Sequence, residues 1–302
     1  MTALITYKNA LGDEIVLDDL PRTFAGELYG RTGFEAPTLR TEEAKYGSGA
    51  TEIVSIALEP REITLFFWAP AGTRDLNAKL EQIKSRVIQI GRRSGSWGTL
   101  RIAKQDGSYC DIDCVYTGGI DDAVRDSWNY IKFSMTFRAE DPLFYDLSTT
   151  ELILQTFSEG DRLVFKSSTH FGADTHFRSP DADHSETVDL DCFRVYPDIE
   201  ITGPANNIRL INVSTGKTIR FEPTFELLAG EKLEIHTKPN DRSCWWVKAD
   251  KTRVRALRYL AADTTLDWDM IAGKNVLRYR NSYLSPVSHC KLSYRQGHLS
   301  AV

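Results

Sequence analysis

The sequence predicts a mainly β protein with two domains, the first of which carries one long amphipathic helix. The chain has 302 residues, more than a single hydrophobic core usually organises. Apolar and polar residues alternate in many short runs, as strands with one buried face require. A single segment repeats its apolar residues at the spacing of a helix.

The N-terminal region is expected to consist of strands. Residues 4–17 place apolar residues on both sides of a Gly-containing turn at 9–13, which is the pattern of a β-hairpin. Residues 21–50 contain several glycines and no sustained periodicity, so a long irregular or extended segment is expected there. Alternation resumes at 53–58 and 63–67 and predicts two further strands.

Residues 73–90 are predicted to form the amphipathic helix. Thr73 is a suitable N-cap residue, and Gly91 follows the last turn. One helix face collects the apolar residues at four-three spacing: Leu76, Leu80, Ile83, Val87 and Ile90. Charged residues occupy the opposite face, so the apolar side is expected to cover a sheet or a neighbouring subunit.

The rest of the first domain, predicted to span 1–145, again consists of strands. Residues 100–114 predict a hairpin around a turn at 105–108, and residues 131–138 alternate strictly between apolar and polar side chains. Pro142 then ends the β pattern, because proline has no N–H to donate to a sheet.

The second half of the chain is predicted to be all-β. Residues 146–195 are interpreted as a connecting hairpin or linker, since two short apolar runs are followed by a polar tract. The second domain is predicted to span 196–302. Short strands separated by turns recur there without a helical period, which is typical of a β-sandwich or jelly roll.

Composition argues against several function classes. The chain has 42 acidic and 37 basic residues, and its net charge of −5 provides no overall attraction to nucleic acid or anionic membranes. No run approaches the roughly 18 apolar residues of a membrane helix, and the N-terminus lacks a signal-peptide pattern, so assembly in the cytosol is expected. The five cysteines are scattered and odd in number, which predicts reduced thiols.

The sequence contains no recognisable catalytic or cofactor motif. It has no Gly-rich phosphate loop, no G-x-S-x-G elbow and no H-E-x-x-H pair. We therefore predict that the protein is not an enzyme and has no catalytic, cofactor-binding or metal-binding residues.

Two clusters contain residue types that bind metals. Cys110 and Cys114 have an even spacing that places both on one face of a strand, which favours buried core residues over half of a metal site. Residues 170–191 concentrate Asp, Glu and His side chains. Because no interval in this tract matches a known ligand spacing, a solvated loop is favoured over a divalent-metal site.

Tryptophans provide a further candidate site. Trp245 and Trp246 are adjacent on a predicted strand, so one is expected in the core and the other free. Together with Trp268 they motivate a sugar-stacking platform, although packing in a core or interface is favoured. The basic and aromatic cluster at 92–97 is expected to cap the end of the helix.

Two stretches carry a family resemblance. The first is the strand 131–138 followed by residues 139–145, which read Ala-Glu-Asp-Pro-Leu-Phe-Tyr. The second lies in the C-terminal domain and comprises 197–204, 208–212, Thr215-Gly216, Ile219, 228–231, 233–236 and 271–275. Together they resemble the distal tail protein family of long-tailed bacteriophages, a siphovirus tail component that joins the tail tube to the baseplate. Ala272 stands where the family has proline, and His236 where it usually has Asp.

The resemblance covers nearly the whole chain, with 21–50 and 167–195 matching least. It implies an N-terminal domain that closes into a ring, usually a hexamer, and a galectin-like C-terminal β-sandwich. The implied partners are further copies of the chain, the tail tube protein and the tail tip or baseplate protein; a receptor-binding protein or a host glycan is a further candidate. The implied location is the tip of the virion tail, and no enzyme activity is implied.

Three function hypotheses follow. The leading one is a structural hub of the phage tail that acts through ring assembly and protein–protein contacts. The alternative is a carbohydrate-binding module that contributes to host-surface recognition, motivated by the sandwich and its tryptophans. The third, a metal-dependent hydrolase that uses residues 170–191, has the least support.

Overall fold

The chain divides into two compact units. Unit 1 comprises Met1–Leu147 together with the C-terminal residues Gly297–Val302, and unit 2 comprises Ser148–Gln296. The computed structural model describes residues 5–17, 27–45, 51–70, 80–81, 84–85, 87, 97–104, 106–120, 124–125, 130–155, 182–239, 241–283, 285 and 287–301. The sequence-based boundaries at 145 and 195 stay predictions.

Unit 1 is built from antiparallel strands. They are β1 (Ile5–Lys8), β2 (Glu14–Val16), β3 (Glu27–Thr32), β4 (Leu39–Lys45), β5 (Thr51–Leu58), β6 (Arg61–Pro70), β7 (Gly98–Ala103), β8 (Tyr109–Gly118), β9 (Val124–Arg125), β10 (Tyr130–Ala139), β11 (Phe144–Asp146) and, at the end of the chain, β24 (Gly297–His298). The hairpins predicted at 4–17 and 100–114 are present as β1–β2 and β7–β8, and the strand predicted at 131–138 is β10.

The pairing order in unit 1 runs β2-β1-β7-β8-β10-β6-β3, with β9 also paired to β10. The long strand β8 pairs with β7 along one edge and with both β10 and β11 along the other. The C-terminal strand β24 adds to β11. Strands β4 and β5 form a separate two-stranded hairpin.

The core of unit 1 follows from the alternation of the sequence. Apolar residues at alternate positions of β1, β6, β7, β8 and β10 face inward and are buried. Aromatic rings fill its centre. The ring centroids of Phe137 and Tyr7 are 5.0 Å apart, and Phe67 stacks on Phe133 with a centroid distance of 5.1 Å. Such close aromatic packing stabilises a core beyond the area that it buries.

The long amphipathic helix predicted at 73–90 requires a correction of the fold class. The described residues are mainly β, and no continuous α-helix is found among them; the helical element described along its whole length is the 3-10 turn Leu257–Tyr259. Five residues of the predicted range are described, and each has a helical backbone: Leu80, Glu81, Lys84, Ser85 and Val87. The other residues of 73–90 lie outside the described residues. Leu80 and Val87 are buried in the core of unit 1. Periodic spacing identifies the side that a segment turns inward, not the length over which its backbone stays helical.

Unit 2 contains the remaining strands. They are β12 (Thr150–Gln155), β13 (Ala182–Val195), β14 (Asp198–Thr202), β15 (Ala205–Asn206), β16 (Arg209–Asn212), β17 (Lys217–Arg220), β18 (Glu226–Leu227), β19 (Lys232–His236), β20 (Ser243–Val247), β21 (Arg253–Arg255), β22 (Met270–Asn281) and β23 (His289–Tyr294). The described parts of 146–195, which the sequence suggested as a connecting hairpin or linker, thus include two strands of this unit.

The strands of unit 2 form a sandwich. One sheet has the order β12-β23-β14-β19-β20-β21, and the other contains β13-β22-β16-β17. Alternate apolar residues of both sheets enter one core, including Ile201 and Ile235 from the first and Leu210 and Leu277 from the second. Trp268 is fully buried in this core. The β-sandwich predicted for the second half of the chain is therefore confirmed in its general character.

Candidate interaction surfaces

The Ala-Glu-Asp-Pro stretch at 139–142 shapes the turn between β10 and β11. Asp141 is buried, and its carboxylate accepts hydrogen bonds from the Leu143 N–H at 3.3 Å and the Tyr145 hydroxyl at 2.7 Å. An Asp before Pro suits this role, because proline keeps it extended and its side chain can bond to the backbone two residues on. The motif is therefore a structural turn.

Arg61, at the start of β6, is a buried connecting residue of unit 1. It is only 4% exposed. Its guanidinium donates hydrogen bonds to the carbonyls of Gly33 at 2.8 Å, Glu35 at 2.7 Å and Leu299 at 2.6 Å, and its Cζ lies 4.5 Å from the centre of the Phe144 ring. Burial lowers the pKa of Arg61 to about 10, so this cation remains protonated at neutral pH. One side chain thus connects three separate segments.

Gly33 provides one of these carbonyls and has to be glycine. Its φ of +84° lies in the left-handed region, and a Cβ there would lie 2.1 Å from the carbonyl oxygen of Glu62. Any other residue would force the segment away from β6.

The C-terminal tail is held against unit 1 by a second polar cluster. Asp146 on β11 pairs with Lys104 at 2.6 Å and with His298 on β24 at 2.9 Å. Burial alone would raise the pKa of Asp146, but the hydrogen bonds from Lys104 and His298 outweigh burial and lower it. The Ala301 N–H donates to the Phe34 carbonyl at 3.3 Å. The tail is therefore an integral part of unit 1.

Replacing Asp146 with Asn is expected to lower the free energy of unfolding of unit 1 by about 1 kcal/mol at pH 7, because two charge-assisted hydrogen bonds are lost. The folded pKa of Asp146 is lowered, so its contribution is complete above the ordinary value of 3.8 and is lost as the pH falls through the folded pKa. The difference in the free energy of unfolding between wild type and Asp146→Asn should therefore be constant above pH 3.8 and shrink as the pH falls below it in urea titrations. The exposed control Glu140→Gln should differ from wild type in its free energy of unfolding by less than about 0.5 kcal/mol at every pH. A pH-independent difference for Asp146→Asn would contradict the assignment.

The second family-like stretch also proves to be structural. Asn212 and Asn275, from two different strands of unit 2, are fully buried and hydrogen-bonded to each other at 3.2 Å. Asn275 Nδ2 also donates to the carbonyls of Ile271 at 2.7 Å and Gly273 at 3.0 Å, and its Oδ1 accepts from the Ile271 N–H at 3.1 Å. The pair shapes the start of β22 at 271–275, where the pairing with β13 is irregular, and anchors it to β16.

The Gly230-Glu231 turn has a similar role. Gly230 has a φ of +82°, which glycine adopts without strain. The carboxylate of the buried Glu231 accepts hydrogen bonds from the Leu228 N–H at 2.9 Å and from Trp246 Nε1 at 3.1 Å. His236, which stands where the family usually has Asp, pairs with Asp198 at 2.7 Å on the neighbouring strand β14.

The tryptophans do not assemble into a platform. Trp246 packs on the core against Phe225 and Tyr259, whereas Trp245 faces the other side of the sheet, as expected for adjacent strand residues. Trp245 lies beside the guanidinium groups of Arg253 at 5.1 Å and Arg255 at 5.6 Å. Trp268, the third member, is enclosed in the core. The three indoles therefore share no open face for a sugar.

The structure describes both cysteines of the first metal candidate but only part of the second, the tract 170–191. Cys110 and Cys114 are both fully buried on the inner face of β8, and burial raises the pKa of Cys114, which keeps the thiol protonated. Of the tract 170–191, residues 170–181 lie outside the described residues. Within the described part of the chain, no three His, Cys, Asp or Glu side chains come together as metal ligands. The predicted absence of catalytic, cofactor and metal residues stays a prediction. Arg92 and Arg93, which were expected to cap the end of the helix, lie outside the described residues.

Exposed strand surfaces of unit 1 are candidates for contacts with other proteins. On the outer face of β6 and β10, Trp68 is 40% exposed and lies opposite Lys132, whose Nζ is 5.7 Å from the ring centre. Strand β3 ends the pairing order, and the hairpin β4–β5 pairs with no other described strand. A two-stranded hairpin is marginally stable in water by itself, so it needs a further packing partner.

Comparison with known proteins finds similarity at the level of structure. No protein-family model and no curated protein sequence matches the chain. No helix of the described residues is long and apolar enough to span a membrane. The structure is similar to the Dit protein (gp 19.1) of phage SPP1, a paradigm of the hub adsorption apparatus in phages that infect Gram-positive bacteria, with a TM-score of 0.59 and 12% identity over 97% of this chain and 98% of that one.

A second similar structure is a chain of the phage P2 baseplate in its activated conformation with Ca, with a TM-score of 0.50 and 12% identity over 97% of this chain and 98% of that one. Both matches extend over both units. The chain therefore shares its fold, along nearly its whole length, with hub and baseplate proteins of tailed phages.

Proposed function

We propose that this protein is a distal tail hub, a structural virion protein that joins the tail tube to the baseplate or tip. The observation that carries this proposal is the similarity to SPP1 Dit, which spans 97% of this chain and 98% of that protein. A match over both units favours the whole hub architecture rather than a shared β-sandwich. The two family-like stretches in the sequence agree with it.

The hub acts through contacts rather than chemistry. The motifs that the sequence analysis singled out are used in turns and buried connections, as Asp141, Asn275 and Glu231 show. Function then lies on the outer surfaces. A closed ring needs two different surfaces that fit each other on neighbouring copies, and the β3 edge, the β4–β5 hairpin and the outer face of β6 and β10 are candidates in unit 1.

The partners follow from the position of a hub. Six copies surround the lumen of the tail, with the tube protein on one side of the ring and the tip or baseplate protein on the other. The ring assembles in the cytoplasm of the bacterial host and resides at the virion tail tip. A receptor-binding protein is a candidate partner for unit 2.

Ring formation is the direct test of the proposal. Light scattering of the purified protein across concentration should give six times the chain mass of 34.1 kDa, and negative-stain images should show a ring with a central channel. A hub that closes only on its neighbour would instead form the ring when the tube protein is added. A protein that stays monomeric and captures neither the tube nor the tip protein would refute the hub function.

The tryptophans support carbohydrate binding less than the fold supports the hub function. Trp245 is bordered by two guanidinium groups, and Trp246 is held in the core by its Nε1 bond to Glu231. A glycan array with the full-length chain would test this alternative, and loss of binding in Trp245→Ala would be needed to support it.

A further inference from the structure

A basic strip in unit 2 contrasts with the rest of this acidic chain. Residues 248–258 contain five basic side chains and one acidic one, while the whole chain has a net charge of −5. The strip runs from the end of β20 through β21 to the 3-10 turn that follows. Arg253, Arg255 and Arg258 are exposed, and so is Leu257, at 43%.

Aromatic rings hold the cations of this strip in place. Arg253 and Arg255 lie beside the Trp245 ring, and Arg258 lies 4.7 Å from the centre of the Tyr259 ring. Lys248 similarly lies 5.0 Å from the Trp246 ring. A guanidinium stacked on a ring keeps its N–H donors available, and its restricted motion reduces the entropy lost when it binds a carboxylate.

Few acidic groups neutralise the strip. Arg253 pairs with Glu234 at 2.5 Å. Within the part of the chain that the structure describes, Arg255 and Arg258 have aromatic contacts and no carboxylate partner. Arg255 and Arg258 can therefore pair with carboxylates of another molecule.

The position of β21 indicates the form of the partner. It is the last strand of the six-stranded sheet and pairs only with β20 among the described strands. Arg253 and Arg255 are two residues apart and share one face, so their Cα atoms are roughly 6–7 Å apart. Acidic residues at every second position of an added strand would have the same repeat and would lie opposite them.

We propose that β21 is a docking edge for an acidic β-strand of a partner protein, with Arg255 and the N–H groups of Arg253 that Glu234 does not use pairing with carboxylates at alternate positions. This proposal does not depend on the hub function, because it rests on charge complementarity and on the pairing order of this sheet. The alternative is that arginines on an edge strand only prevent unwanted pairing. A polyanion that binds by charge alone is a second alternative.

Fluorescence anisotropy of the full-length protein with three labelled peptides tests the proposal. The first peptide, Thr-Glu-Val-Glu-Val-Glu-Thr, presents the alternating carboxylates. The second replaces each Glu with Gln, and the third replaces the central Val residues with Pro, which keeps the charge but prevents ladder formation. We expect saturable binding of the first peptide, at least tenfold weaker binding of the other two, and weakening by salt.

Matched protein variants complete the test. The double variant Arg253→Gln, Arg255→Gln should lose at least tenfold in affinity for the first peptide. The control double variant Lys274→Gln, Arg278→Gln removes two exposed cations from β22 and should stay within twofold. Thermal unfolding of each variant checks that the fold is retained. Absence of binding by the first peptide, or equal binding of the Pro peptide, would overturn the proposal, the latter in favour of a simple polyanion surface.

Discussion

Replacing Arg61 with Met is expected to lower the free energy of unfolding of unit 1 by about 2–4 kcal/mol. Methionine keeps much of the side-chain volume but leaves the carbonyls of Gly33, Glu35 and Leu299 without their donor. An unsatisfied buried polar group costs about 1–3 kcal/mol. Burying the Arg61 cation has its own cost, as its lowered pKa shows, so the net loss is smaller than three such penalties.

The measurement is calorimetry of the full chain, with hydrogen exchange to assign the transition to unit 1. Exchange should accelerate in β6 and in the tail at 297–301, because Arg61 joins these segments. The matched control is Arg138→Met, which removes a half-exposed pair with Glu140 and should change stability by less than about 0.5 kcal/mol. A loss as small as in this control would mean that Arg61 does not hold the tail.

Replacing Asn275 with Ala should destabilise unit 2 by about 2–4 kcal/mol. The fully buried amide makes three hydrogen bonds to the backbone of its own strand and one to Asn212. Each such bond contributes about 1 kcal/mol net, and the Ile271 N–H and carbonyl would lose this partner. The effect should appear in the unfolding transition of unit 2 and leave that of unit 1 unchanged.

Two further variants make this prediction specific. Lys274→Ala changes the adjacent exposed residue of the same strand and should cost less than about 0.5 kcal/mol. Asn275→Asp keeps the acceptor but loses the donors and buries a charge, so it should be at least as harmful as Asn275→Ala. If Asn275→Ala were as mild as Lys274→Ala, the family-like stretch at 271–275 would need another explanation than holding the irregular start of β22.

These two predictions concern buried polar residues whose roles are structural. Arg61 and Asn275 are polar and buried. Arg61 donates three hydrogen bonds to backbone carbonyls of other segments, and Asn275 makes three to the backbone of its own strand and one to Asn212. Buried polar groups held by several hydrogen bonds specify one arrangement of the chain. The proposed hub function would use such rigidity, because contacts with other proteins require fixed outer surfaces.

Local pattern was sufficient for much of the fold. The hairpins β1–β2 and β7–β8 and the strand β10 follow from alternating residues bounded by turn residues, since both signals act over a few neighbours. The opposite faces of Trp245 and Trp246 follow from the same period of two. The predicted long helix at 73–90 was wrong, since the described residues contain no continuous α-helix; the periodicity correctly marked Leu80 and Val87 as buried.

The sequence by itself thus determined the β class, most strands and the side of each strand that faces the core, because strand periodicity is a local property. Only the tertiary structure revealed that Arg61 is buried and that the tail belongs to unit 1. The partners of Arg61 lie 28, 26 and 238 residues away, and no local signal marks contacts at such separations. In the same way, β21 is an edge strand because of the order in which the sheet pairs, which depends on where distant segments return.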